Sequence, residues 1–203
     1  MIAIVDYGVG NLFSLVSALD ALGLASEVTR SAEALRAADR LILPGVGAFG
    51  DAKRKLDATG LVPVLREQAA QKPLLGICLG MQLLFEKSLE YGETAGLGLI
   101  PGEVAPLGED LTDQALKVPH MGWNRLEIQR EDPIFAHFSG GDFVYYVHGF
   151  YARHCADATL AASQYGNVAV PGVVRRGRVY GMQFHPEKSG DGGLGLLRAF
   201  SEL

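Results

Sequence analysis

The stretch Pro73-Leu74-Leu75-Gly76-Ile77-Cys78-Leu79-Gly80-Met81-Gln82-Leu83-Leu84-Phe85 constrains this chain more than any other. A short apolar run enters Gly76, and the apolar positions from Leu79 through Phe85 predict a helix packed on a sheet, so Cys78 falls on the turn between strand and helix. A turn that lifts a side chain clear of a sheet needs small flanking residues. Gly76 and Gly80 flank Cys78 as the glycines of a G-x-S-x-G elbow flank its serine. The unpaired N–H groups and positive dipole end of the following helix favour thiolate over thiol. A cysteine in apolar surroundings also reads as a small buried hydrophobe, so the pattern needs support from elsewhere in the chain.

Around this stretch, strand-like and helix-like segments alternate. Residues 2–7 form a buried strand that runs into Gly8-Val9-Gly10 and a helix over 11–22. Residues 25–30 form a second strand, Ser31 caps a helix through 38, and residues 40–43 form a third strand. Helical segments broken by Gly60 and Pro63 continue to residue 71. Such alternation predicts an α/β fold with a mostly parallel central sheet and helices on both faces, and ligands beyond the carboxyl ends of its strands. Pro44-Gly45-Val46-Gly47-Ala48-Phe49-Gly50 leaves one such strand end, and its glycines let backbone N–H groups approach a substrate as an oxyanion site requires. The glycines at 8 and 10 lack the third glycine of a dinucleotide fingerprint, and no cofactor is expected.

After residue 85 the pattern loosens. Residues 125–129, 143–151, 168–174 and 179–184 read as antiparallel additions at the edge of a now mixed sheet, and a last helix over 192–200 follows Ser189 as its cap. Within this half stands Gly181-Met182-Gln183-Phe184-His185-Pro186-Glu187. In extended chain, residues two apart project to one side, so Glu187 can accept the proton on one ring nitrogen of His185 while the other faces a nucleophile. Nucleophile, base and orienter together are the logic of acyl transfer, realised with a thiol.

The remaining composition narrows the partners. The 203 residues predict one domain spanning 1–203, and 23 acidic against 18 basic residues give a net charge of −5 without a basic run, which argues against nucleic acid. Two cysteines make no secreted framework, and the N-terminus is neither basic enough nor apolar enough to export or span a membrane, so a cytoplasmic location is expected. His120, His137, His148 and His154 show no metal-ligand spacing, and no metal is expected.

These motifs together resemble the class I (triad) glutamine amidotransferases: Gly-Ile-Cys78-Leu-Gly-Met-Gln82, Pro44-Gly-Val-Gly47 and His185-Pro-Glu187. Asp6-Tyr-Gly-Val-Gly-Asn11, Val118-Pro-His-Met-Gly-Trp-Asn124, Tyr146-Val-His148 and Gln183-Phe-His-Pro-Glu-Lys-Ser189 resemble the branch comprising glutaminase subunits of imidazole glycerol phosphate synthases, over essentially the whole chain. The resemblance implies a flavodoxin-like fold, glutamine as substrate, and ammonia passed to a separate (β/α)₈-barrel cyclase subunit in a heterodimer of histidine biosynthesis. It also implies roles. Cys78 is nucleophile, His185 base and acid, and Glu187 orienter. The backbone of Gly45, Val46 and Gly47 with the Leu79 N–H serves the oxyanion, Gln82 and Glu90 hold glutamine, and Asn11, Met121, Trp123 and Lys188 face the barrel. The family usually carries Ser or Thr then Tyr after His148, where this chain has Gly149-Phe150, so a hydroxyl contact near glutamine is absent or replaced by backbone.

Two other readings compete. A thiol sensor needs no histidine and carboxylate behind its cysteine, and His185-Pro186-Glu187 speaks against it. A stand-alone cysteine hydrolase stays open on chemistry alone, because elbow, base and glycine loop would serve any acyl substrate.

Overall fold

The computed structural model describes residues 1–113 and 115–203. Its first half lays down β1 (Ile2–Val5), α1 (Leu12–Ala21), β2 (Ser26–Thr29), α2 (Ala32–Ala37), β3 (Arg40–Leu43), α3 (Phe49–Ala58), α4 (Val62–Ala69), β4 (Leu74–Ile77) and α5 (Leu79–Leu83). Next come β5 (Phe85–Ser88), β6 (Thr94–Ala95), β7 (Ile100–Pro106), α6 (Leu107–Asp110), β8 (His120–Arg125) and β9 (Glu127–Ile128). The chain closes with β10 (Phe143–His148), β11 (Phe150–Arg153), β12 (Thr159–Tyr165), β13 (Val168–Arg176), β14 (Val179–Met182) and α7 (Gly190–Glu202).

A mixed sheet runs in the order β2-β1-β3-β4-β14-β13-β12-β9. Pairing is parallel from β2 to β14 and antiparallel beyond it. Strands covered on both faces need no polar alternation, and Ile2–Val5 and Leu74–Ile77 are buried at every position. Alternate side chains go to opposite layers. Ile4, Ile42 and Leu75 pack with Leu15 and Leu19 of α1 and Leu197 and Phe200 of α7. Ala3, Leu41 and Leu74 pack with Leu56 of α3 and Leu65 of α4 on the other face. Two smaller sheets, β10-β8 and β11-β7-β5-β6, sit apart from the main one.

The expected strands and helices of the first half are present, with Ser31 accepting from the Ala34 N–H as a cap. Pro63 lies in the first turn of α4, where a missing N–H costs nothing, and so it starts that helix instead of breaking it. The helix after Cys78 stops at Leu83, short of Phe85. The carbonyls of Leu83, Leu84 and Phe85 accept from the amides of Leu97, Ile100 and Gly98, and a neighbouring segment thus takes the bonds a longer helix would make.

The second half departs further from expectation. Val179–Met182 is not an edge hairpin: it lies inside the sheet, parallel to β4 and antiparallel only to β13. The single segment expected over 143–151 is two strands in different sheets, divided at Gly149. β7 and β12 were not expected, the first because Pro101, Gly102 and Pro106 read as loop. The last helix begins at Gly190, and the Ser189 hydroxyl does not cap it.

Candidate active site

Cys78 joins β4 to α5 with φ 53° and ψ −113°, a left-handed conformation that a side chain adopts only under strain. The surroundings enforce it. The Cys78 N–H donates to the Met182 carbonyl at 2.7 Å, which ties the turn to the end of β14. A Cβ on Gly80 would run into the Leu43 carbonyl, and one on Gly76 would lie 2.6 Å from the Gly80 carbonyl, so only glycine lets α5 seat this closely on the strand ends.

The histidine expected as base lies in the segment that follows β14. His185 Nδ1 donates to Glu187 Oε1 at 2.8 Å, with the two side chains only 4% and 3% exposed. The pair does not sit on extended chain as expected: Pro186–Lys188 is a 3₁₀ turn, which brings the carboxylate back under the ring. Ser189 fixes this turn, its hydroxyl donating to the His185 carbonyl at 2.6 Å and accepting from the Tyr145 N–H at 2.9 Å, and is therefore occupied when α7 begins. Burial pulls the His185 pKa down, but hydrogen bonds and charge from Cys78 and Glu187 outweigh it and push it up to about 9. With Nδ1 committed to Glu187, Nε2 is left for the thiol.

A cavity of about 310 Å³ opens beside this pair, lined among others by Val46, Gly47, Gln82, Glu90, Phe150 and His185. That is room for a small polar metabolite. Glu90 Oε2 accepts from the Phe49 N–H at 2.7 Å, which ties the cavity wall to the start of α3, and its burial raises the carboxyl pKa. Gln82 Nε2 donates to the Phe150 carbonyl at 3.0 Å and to Gln183 Oε1 at 3.1 Å. At Gly149-Phe150 the contact present is a backbone one, the Phe150 carbonyl accepting from Gln82.

The glycine loop is held by Tyr7, whose hydroxyl donates to the Pro44 carbonyl at 2.7 Å. Gly47 has φ +95°, a value that favours glycine. The Leu79 N–H donates to the Gly45 carbonyl at 3.3 Å. Of the expected oxyanion donors, then, the Leu79 amide is engaged by the loop's own carbonyl.

Of the residues expected at a partner face, three are open to solvent and Asn11 is half-buried. Met121 and Trp123 are 62% and 56% exposed on alternate positions of β8, Lys188 is exposed, and Asn11 caps α1 through Ser14. Trp123 packs edge-on against Tyr145 at 6.0 Å. A larger cavity of about 550 Å³ lies away from the triad against Tyr151 and Cys155, and its Arg153 is paired with Glu103 and Asp110. Among the described residues no group of His, Cys, Asp and Glu could hold a metal, and no helix is long and apolar enough to cross a membrane.

The sequence reading did not single out Gln183, Tyr7 or the buried His120–His148 pair. Gln183 did carry a signal, as the one amide between the apolar Met182 and Phe184.

Comparison with known proteins supports the same reading. The family profile described as "Glutamine amidotransferase class-I" matches residues 3–200. The chain belongs to this family. Among its curated relatives are proteins named "Imidazole glycerol phosphate synthase subunit HisH". The one from Listeria monocytogenes (serovar 1/2a) is 48% identical, with 100% of this chain and 96% of the relative covered. That from Lacticaseibacillus casei is 50% identical at the same coverage. A solved "glutamine amidotransferase" shares the fold with a TM-score of 0.75 at 23% identity, covering 100% of this chain and 98% of that one. PurLQS from Thermotoga maritima does so at 0.74 and 19%, covering 99% and 97%.

Proposed function

We propose that this chain, as one domain over residues 1–203, is the glutaminase subunit of an imidazole glycerol phosphate synthase. It hydrolyses glutamine to glutamate and ammonia and supplies the ammonia for histidine biosynthesis. The observation that carries the reading is a strained Cys78 facing a buried His185–Glu187 pair at a 310 Å³ cavity that also holds the Glu90 carboxylate. In this reading His185 takes the thiol proton and Sγ attacks the glutamine side-chain amide carbon. His185 returns that proton to the departing ammonia, and water then releases glutamate from the thioester. Glu187 orients His185 and stabilises its charged form. Glu90 suits the substrate's α-ammonium, and Gln82 lines the same cavity.

The ammonia goes to a (β/α)₈-barrel cyclase subunit that docks on Asn11, Met121, Trp123 and Lys188. Cytoplasmic location follows from this role. Because the Leu79 N–H is bonded to the Gly45 carbonyl, the loop 45–47 must turn before two donors face a tetrahedral oxyanion. One missing donor costs about 3–4 kcal/mol, a rate factor of roughly 10²–10³. The isolated chain is therefore expected to bind glutamine and turn it over slowly, and the loaded barrel to shift the loop toward the donating state. The test is glutamate release by the chain alone, with the barrel subunit, and with the barrel subunit plus its acceptor ligand. Rising kcat across the three supports the reading, and a change in KM alone would place regulation in glutamine access.

A further inference from the structure

A directed set of hydrogen bonds ends on the nucleophile. The Phe150 carbonyl can only accept, so the Gln82 atom 3.0 Å from it must be the amide nitrogen. The same nitrogen lies 3.1 Å from Gln183, which must present its oxygen there. Gln183 Nε2 is thereby turned toward Cys78 Sγ at 3.9 Å, within reach of a hydrogen bond to sulfur. The Phe150 carbonyl is itself fixed by His148 Nδ1 at 2.9 Å. His148 Nε2 then accepts from His120 Nδ1 at 3.0 Å, as a neutral pair requires. Burial lowers both histidine pKa values, to about 3 and about 4, which keeps the pair neutral and the direction of the chain fixed.

We propose that Gln183 is a further catalytic residue, whose side-chain amide donates to Cys78 Sγ in a direction set by Gln82 and the Phe150 carbonyl. A thiolate accepts this bond more strongly than a thiol or a thioester, because charge-assisted hydrogen bonds are the stronger ones. The amide thus favours proton transfer to His185, and it favours Sγ as leaving group when glutamate is released. Gln183 is fully buried and does not line the glutamine cavity, so it acts on turnover and not on substrate affinity. Gln82 gains a role beyond lining that cavity, as the residue that orients Gln183. The ionisable groups around Sγ are His185 and Tyr7, with His148 behind His185 and Glu90 across the cavity, and none of them is altered by a change at 183.

The inference rests on Cys78 being the nucleophile, and the test keeps the two apart. Gln183→Met preserves length and removes the donor. In the complex with the barrel subunit, kcat for glutamine is expected to fall about 10-fold or more with KM within twofold, since a hydrogen bond to a charged group is being removed. In the isolated chain, the pH midpoint for iodoacetamide alkylation of Cys78 is expected to rise by about one unit. A packing role alone would lower the melting temperature and leave that midpoint in place, which overturns the inference. Should the variant not fold, the Gln183 side-chain ¹⁵N–¹H resonance of the unaltered protein is followed against pH. It must move with the alkylation midpoint, and a resonance that ignores that midpoint is equally contrary. Glutamine turnover by Cys78→Ala would instead remove the reading beneath it.

Discussion

Replacing Glu187 by Gln keeps an acceptor at the position of Oε1, 2.8 Å from His185 Nδ1, removes the charge, and sets an amide N–H₂ where Oε2 is buried without a partner, a cost that does not vary with pH. His185 is raised from 6.5 to about 9 with its ring 4% exposed, so the stabilisation of its charged form is worth about 3 kcal/mol over that interval. Because the folded value lies above the unfolded one, this stabilisation is fully present below pH 6.5 and is lost as pH rises through 9. Cys78 supplies part of the upshift, so Glu187→Gln is expected to cost about 1–2 kcal/mol of it. Urea unfolding of the isolated chain should therefore show a penalty at pH 6 that shrinks by that amount at pH 10. Single-turnover acylation should fall about 10²–10⁴-fold yet stay above that of Cys78→Ala, since the orienter does not bond to substrate. A penalty that is constant from pH 6 to pH 10 would refute the argument that Glu187 acts on the charge of His185. Activity as low as that of Cys78→Ala would give Glu187 a direct part in the chemistry.

Three further outcomes follow. Cys78→Ala should lose glutamine-dependent turnover by about 10⁴-fold or more, while cyclisation with added ammonia survives in the complex; loss of both would place Cys78 in the fold instead of the chemistry. Gly80→Ala forces a Cβ onto the Leu43 carbonyl and should lower unfolding free energy by about 3 kcal/mol or more, and a neutral urea midpoint would mean the elbow is loosely packed. Trp123→Ala should weaken binding of the barrel subunit by about 2 kcal/mol in calorimetry with little change in melting temperature, and an unaltered Kd would move the docking face elsewhere.

Much of this site was legible in the chain. Gly76 and Gly80 announced the close approach of α5 to the strand ends, and His185-Pro186-Glu187 announced a histidine with a carboxylate on its ring nitrogen. Both are local signals, set within a few residues by turn chemistry. What escaped was non-local. β14 lies inside the sheet beside β4; the unbroken apolar run Val179–Met182 suits a strand covered on both faces, but it does not name its neighbours. Gln183 orients toward Cys78 only because Gln82 and Phe150, brought from elsewhere in the chain, leave its amide one direction. The Leu79 N–H is engaged by the Gly45 carbonyl through a backbone rotation, which leaves no trace in residue type. β7 was hidden for a different reason, as its Pro101 and Pro106 lack the amides a strand usually needs.

The covalent intermediate tests the central claim most directly. Acid quenching of the complex during turnover of isotopically labelled glutamine, followed by proteolysis and mass spectrometry, should find one γ-glutamyl group on the peptide carrying Cys78. It should find none there in Cys78→Ala and none on Cys155. Label on Cys155, or single-turnover glutamate release faster than Cys78 acquires label, would contradict a Cys78 acyl-enzyme.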